Sequence, residues 1–180
     1  MRYRYIEKKI FKWEVAGAFW IIIVGSLLHF VYEWSNNSVI LGMISPVNES
    51  LWEHLKLGYW SLVLFMFIEY FFIGRYVKNF FISKAIGILV LELFIVGIFY
   101  AYMSVTQKPI VFIDIGSFIV GAILCQIVSY NILKRNRLRK YNKLGIVILL
   151  MIGMLFVLFT FYPPKLPIFR ERKTGKYGID

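Results

Sequence analysis

The chain has 180 residues, 59% of them hydrophobic and 19% aromatic, with only 17% charged and a mean hydropathy of +0.69; this is too apolar for a soluble domain and predicts an all-α, polytopic integral membrane protein. Its 21 Lys and Arg against 10 Asp and Glu give a net charge of +11, but the basic residues fall in short runs between apolar stretches. That is the pattern of membrane loops, and it argues against a nucleic-acid-binding face. The single cysteine, Cys125, lies inside an apolar stretch, which excludes an intramolecular disulfide and any cysteine-based metal motif.

Taken in order, five stretches approach the roughly 20 apolar residues that a membrane-spanning helix needs. They cover residues 13–34, 51–73, 83–103, 110–133 and 144–162. The first follows a basic start (Arg2, Arg4, Lys8, Lys9, Lys12) like a signal peptide, yet it is too long for a cleavable apolar region and lacks a small-residue exit, so a retained helix is expected. The connection Ser35-Asn36-Asn37-Ser38 is turn-forming and carries no basic residue. Arg75, Lys78 and Lys84 mark the next connection, Lys108 the third, and Lys134-Arg135-Asn136-Arg137-Leu138-Arg139-Lys140 the fourth. Basic residues favour the cytoplasmic side, so the N-terminus and the second and fourth connections are expected inside. The sequence divides into a five-helix domain, 1–162, and a polar basic tail, 163–180, that starts at Pro163-Pro164 because proline cannot continue a helical ladder. With five spans the tail lies outside, as a solvated extension or as a lid over an outer cavity.

Polar residues concentrate at that outer level. His29 and Glu33 are four residues apart on one face of the first helix. Pro46-Val47-Asn48-Glu49-Ser50-Leu51-Trp52-Glu53-His54-Leu55-Lys56 places two acids, a histidine and a lysine at the start of the second helix, where Ser45 or Asn48 is the expected cap and Pro46 suits the first turn. Asp114 begins a stripe with Ser117, Gly121 and Cys125 whose spacing turns it toward the bundle interior. Glu33, Glu49, Glu53, Asp114, His29, His54 and Lys56 are therefore expected to meet in one outward-facing cavity. Ionisable groups at a membrane boundary are costly and mark functional sites.

Imidazole with carboxylate suits zinc, iron or manganese, and His29, Glu33, Glu49, Glu53 and His54 are the candidate ligands. Glu49, Glu53, Lys56, Asn48, Trp52 and Asp114 are candidates for holding a small polar or lipid-linked ligand. Glu53, His54 and Asp114 are candidate acid or base groups for catalysis. A membrane-embedded, metal-assisted hydrolase or transferase acting on a lipid-linked substrate is the alternative, and a structural or accessory subunit contacting only membrane lipids is the plainest reading. Glu92, halfway through the third span, needs a buried partner or a proton-relay role, while Glu69 and Gln126 are expected at the interface.

The run from Pro46 to Lys56, preceded by His29-Phe30-x-Tyr32-Glu33-Trp34, resembles a family of small bacterial polytopic membrane proteins with a domain of unknown function. The resemblance implies a bacterial cytoplasmic (inner) membrane location and brings no activity with it.

Overall fold

The structure is a computed structural model that describes residues 2–135, 138–171 and 174–179. Asn136 and Arg137 of the fourth connection, and Arg172 and Lys173 of the tail, lie outside the described residues. Helix α1 covers Arg2–Trp34, α2 is a single turn at Val39–Gly42, α3 covers Leu51–Ile73, α4 Phe80–Thr106, α5 Val111–Arg135 and α6 Asn142–Phe161. Five of these, all but α2, are long and apolar enough to cross a membrane.

The spans agree with the hydropathy, and the differences at their ends have local causes. Helix α1 begins eleven residues before the apolar stretch because Arg4, Glu7, Lys8 and Lys12 are polar but helix-compatible; at 1.5 Å per residue its 33 residues reach about 50 Å, well beyond a hydrocarbon core of about 30 Å. The turn after α1 uses Asn36 and Asn37 with φ of 57° and 60°, a left-handed geometry that asparagine tolerates better than most residues. Helix α3 starts at Leu51, and its cap is Ser50, whose hydroxyl accepts the Glu53 N–H at 3.3 Å. Ser45 and Pro46 lie in the preceding loop; Asn48 supports the start by accepting the Ser50 N–H at 2.9 Å. The Asn142 side chain accepts the N–H groups of Phe81 and Ile82, so α6 satisfies the first turn of α4.

The bundle is held by close helix approach. Helix α4 packs most extensively on α5, and α1 on α3 and α5. A Cβ on Gly87 would lie 2.9 Å from the Cys125 carbonyl oxygen, so glycine permits the α4–α5 approach. Ser117, Gly121 and Cys125 are buried along that contact, as the spacing of the stripe predicts. Gly145 fits against the backbone of Phe81 and Ile82 in the same way.

The tail folds back on the bundle. Phe169 is buried, with its ring centroid 4.8 Å from that of Trp52 and 5.3 Å from that of Phe159. The Asn48 amide donates to the Gly178 carbonyl at 2.9 Å, and the Ile179 N–H donates to the Thr160 carbonyl at 3.0 Å. An aromatic anchor and these two hydrogen bonds replace the solvated extension that its charges suggest.

Candidate functional site

The loop between α2 and α3 builds the site by turning around a buried ion pair. Glu53 and Lys56, one helical turn apart, meet at 2.6 Å with side chains 2% and 0% exposed. Lys56 Nζ also donates to the Gly42 carbonyl at 2.9 Å and the Ser45 carbonyl at 3.4 Å, while Glu53 accepts the Val47 N–H at 3.0 Å and the Thr160 hydroxyl at 3.3 Å. A buried charge is tolerated when it is paired and its remaining valences are met. Both conditions hold, and the ion pair fixes loop and α6 to the first turn of α3. Ser50 and Asn48 complete the turn, and Glu49 projects from it.

Beside the ion pair, three other side chains converge. The Nε2 atoms of His29 on α1 and His54 on α3 are 3.2 Å apart. Glu49 Oε1 is 3.9 Å from His29 Nε2, and Glu49 Oε2 is 3.5 Å from His54 Nε2. One ligand atom from each residue falls within 4.8 Å of the other two. His54 Nδ1 lies 2.8 Å from the Ser50 carbonyl oxygen. A carbonyl only accepts, so Nδ1 carries the proton in that contact and a neutral ring presents its lone pair at Nε2. The two Nε2 atoms are within hydrogen-bond distance, and a His29 tautomer protonated at Nδ1 would aim both lone pairs at one point.

The spacing suits a cation. Zinc–nitrogen bonds of about 2.0–2.1 Å at tetrahedral angles put neighbouring ligand atoms about 3.3 Å apart, close to the 3.2 and 3.5 Å edges found here, with the His29–Glu49 edge longer at 3.9 Å. The Ser50 contact supplies the outer hydrogen bond that fixes ring orientation in metal-binding histidines. The side chains of His29, Glu49 and His54 are 33%, 44% and 29% exposed, which leaves one side of the cluster accessible.

The remaining residues expected in one outer cavity are distributed elsewhere. Glu33 is exposed near the end of α1 and is outside the three-residue group. Glu53 and Lys56 are committed to each other, and Asp114 accepts the Tyr102 hydroxyl of α4 at 2.7 Å. Trp52 packs against Phe156, Phe159 and Phe169, and Asn48 holds the tail. The sequence pattern thus resolves into a buried ion pair and a partly exposed cluster of two histidines and a glutamate that could hold a metal.

A second charged cluster lies toward the opposite end of the bundle. Lys84 Nζ donates to Glu14 Oε1 at 2.8 Å and Gln126 Oε1 at 3.4 Å and is ion-paired with Glu69 Oε2 at 2.6 Å, while Glu14 Oε2, Glu69 Oε1 and Gln126 Nε2 are buried without a hydrogen-bond partner. The Ser129 hydroxyl donates to Glu14 Oε1 at 2.9 Å. These five residues are 0–3% exposed. Sequence reasoning gave Lys84 to a loop and Glu69 and Gln126 to the interface, and Glu14 escaped attention behind the basic start. Depth matching was the available signal: Glu69 is four residues before the end of α3 and Lys84 four residues after the start of α4, so opposite charges face each other across one connection. Glu92 on α4 keeps one carboxylate oxygen buried without a hydrogen-bond partner.

The chain belongs to a family of unknown function, DUF6512, whose model matches residues 1–179. No curated protein and no solved structure matches it.

Proposed function

We propose that this protein binds a divalent cation through His29, Glu49 and His54 at the outer face of a bacterial cytoplasmic membrane, with its N-terminus inside. The observation that carries the reading is the convergence of the three ligand atoms within 4.8 Å, with one imidazole oriented by the Ser50 carbonyl. Two nitrogens and a carboxylate favour zinc, with iron and manganese as the other fitting ions. The basic residues of the N-terminus and of the α3–α4 and α5–α6 connections support the orientation.

Metal-assisted hydrolysis or group transfer on a lipid-linked substrate is the second reading, favoured by the accessible side of the cluster and its place at a membrane end. A cation held there would acidify a bound water and polarise a phosphoryl or carbonyl oxygen. Glu53 does not serve as base in this scheme, because Lys56 and the loop hold it.

Elemental analysis of detergent-purified protein after incubation with zinc tests the reading, with His29→Ala and His54→Ala alongside. Near-stoichiometric metal in the native sequence and its loss in both folded variants is the expected result. Absence of metal throughout, with both variants only melting earlier, would leave the cluster a hydrogen-bonded network.

A further inference from the structure

The end of the bundle opposite the histidines carries a two-part recess between α1 and α5. Its outer part, about 540 Å³, is lined by Arg4, Lys8 and Lys12 against one carboxylate, Glu7. The three cations are spaced by four residues, so they share one face of α1. Glu7 accepts the Tyr130 hydroxyl at 3.2 Å, which ties its charge to the wall, and Lys134 Nζ sits 4.5 Å from the centroid of the same ring.

The deeper part, about 300 Å³, is an apolar groove. Val15, Ala18, Phe19 and Ile22 line one side, at spacings of three, one and three that keep them on one helical face, and Ile123 and Ile127 line the other. Ala18 provides the depth, because its methyl group leaves space that a larger side chain would fill. Glu14 and Gln126 also line the groove, each with one oxygen engaged by Lys84. Phe11 and Tyr130, in edge-to-face contact with ring centroids 5.7 Å apart, border both parts, so the two cavities adjoin at one aromatic pair.

We propose that this recess is a binding site for one anionic glycerophospholipid, its phosphate-bearing headgroup among Arg4, Lys8 and Lys12 and one acyl chain in the groove along Ala18. Charge complementarity selects the headgroup: three cations against one carboxylate leave a positive excess that favours a net negative lipid over a zwitterionic one. Dimensions select the tail. Phe11 to Ile22 rises about 16 Å along the helix, against about 15 Å for one leaflet of the hydrocarbon core. The site is independent of the histidine cluster and stands or falls without it.

Native mass spectrometry of the full chain in non-ionic detergent, with equal phosphatidylglycerol and phosphatidylcholine, tests the proposal. One phosphatidylglycerol should be retained in preference. Each lysine near an anionic surface contributes about fivefold in affinity, so Lys8→Gln should weaken retention about fivefold and Lys8→Gln/Lys12→Gln more than twentyfold. Both lysines are exposed, so these variants keep the fold. Ala18→Phe, checked for an unchanged melting temperature, should also lose the lipid, and Lys140→Gln/Lys143→Gln at the same end should not. Retention that survives the Lys8/Lys12 change, or falls equally in the Lys140/Lys143 control, overturns the site. Displacement by inorganic phosphate, or indifference to Ala18→Phe in folded protein, overturns the acyl half and with it the lipid assignment.

Discussion

The two charged clusters of this bundle differ in what their charges leave over. Around Lys84, one ammonium is ion-paired with two carboxylates and donates to Gln126, and the participants are sealed between α1, α3, α4 and α5. Around His29, Glu49 and His54 the ligand atoms converge and the side chains are 29–44% exposed. Burial around a counter-ion fits an element of architecture, whereas partial exposure with converging ligand atoms is what the proposed cation site requires. The Glu53–Lys56 pair shows the distinction at short range, since it belongs to the first type while its neighbours Glu49 and His54 belong to the second.

That difference predicts opposite responses to substitution. Removing the charge at the sealed cluster should have the largest effect on stability: Lys84→Met leaves Glu14 and Glu69 buried without a cation and should cost about 4–5 kcal/mol or prevent folding, read as thermal unfolding in detergent. Glu53→Ala strands Lys56 and releases Val47 and Thr160, so a loss of about 3 kcal/mol is expected. Glu53→Leu/Lys56→Met should recover part of it, and failure to recover would show that the ion pair is more than scaffold. Asn48→Ala removes the amide bond to Gly178, for about 1 kcal/mol, and should expose the tail to limited proteolysis without altering the melting of the bundle. His29→Ala and His54→Ala should cost less, about 0.5 kcal/mol each as partly exposed substitutions, yet abolish zinc retention. Glu33→Gln should change neither quantity. A His54→Ala protein that melts like Lys84→Met would erase the contrast between the clusters.

Much of this architecture was legible in the sequence, for reasons that differ between regions. Hydropathy locates the five long helices because a span must be apolar through its length, and Pro163-Pro164 marks where the last one stops. Spacing orients Ser117, Gly121 and Cys125 because small residues four apart define a contact face. The Pro46–Lys56 run identifies the right end of the bundle, and His29 from α1 joins it there. What the pattern did not separate is the division of labour among Glu49, Glu53, His54 and Lys56, since residues three or four apart share a face whether they bind each other or a ligand. The loop decides it: Gly42, Ser45 and Val47 direct backbone groups at Glu53 and Lys56, which sequence spacing alone does not convey. The sealed cluster was not legible for the opposite reason, because its five members are scattered over four helices and each looks like an ordinary boundary residue. The folded-back tail was hidden by its charge, which outweighs the single Phe169 that anchors it.

The most direct test of the histidine site is zinc-edge X-ray absorption on metal-loaded protein, compared with His54→Ala. The structure predicts a shell of nitrogen and oxygen neighbours at about 2.0–2.1 Å with two imidazoles, reduced to one or lost in the variant. A sulfur neighbour at about 2.3 Å, which would implicate Cys125, or a shell unchanged by removal of His54, would contradict the assignment.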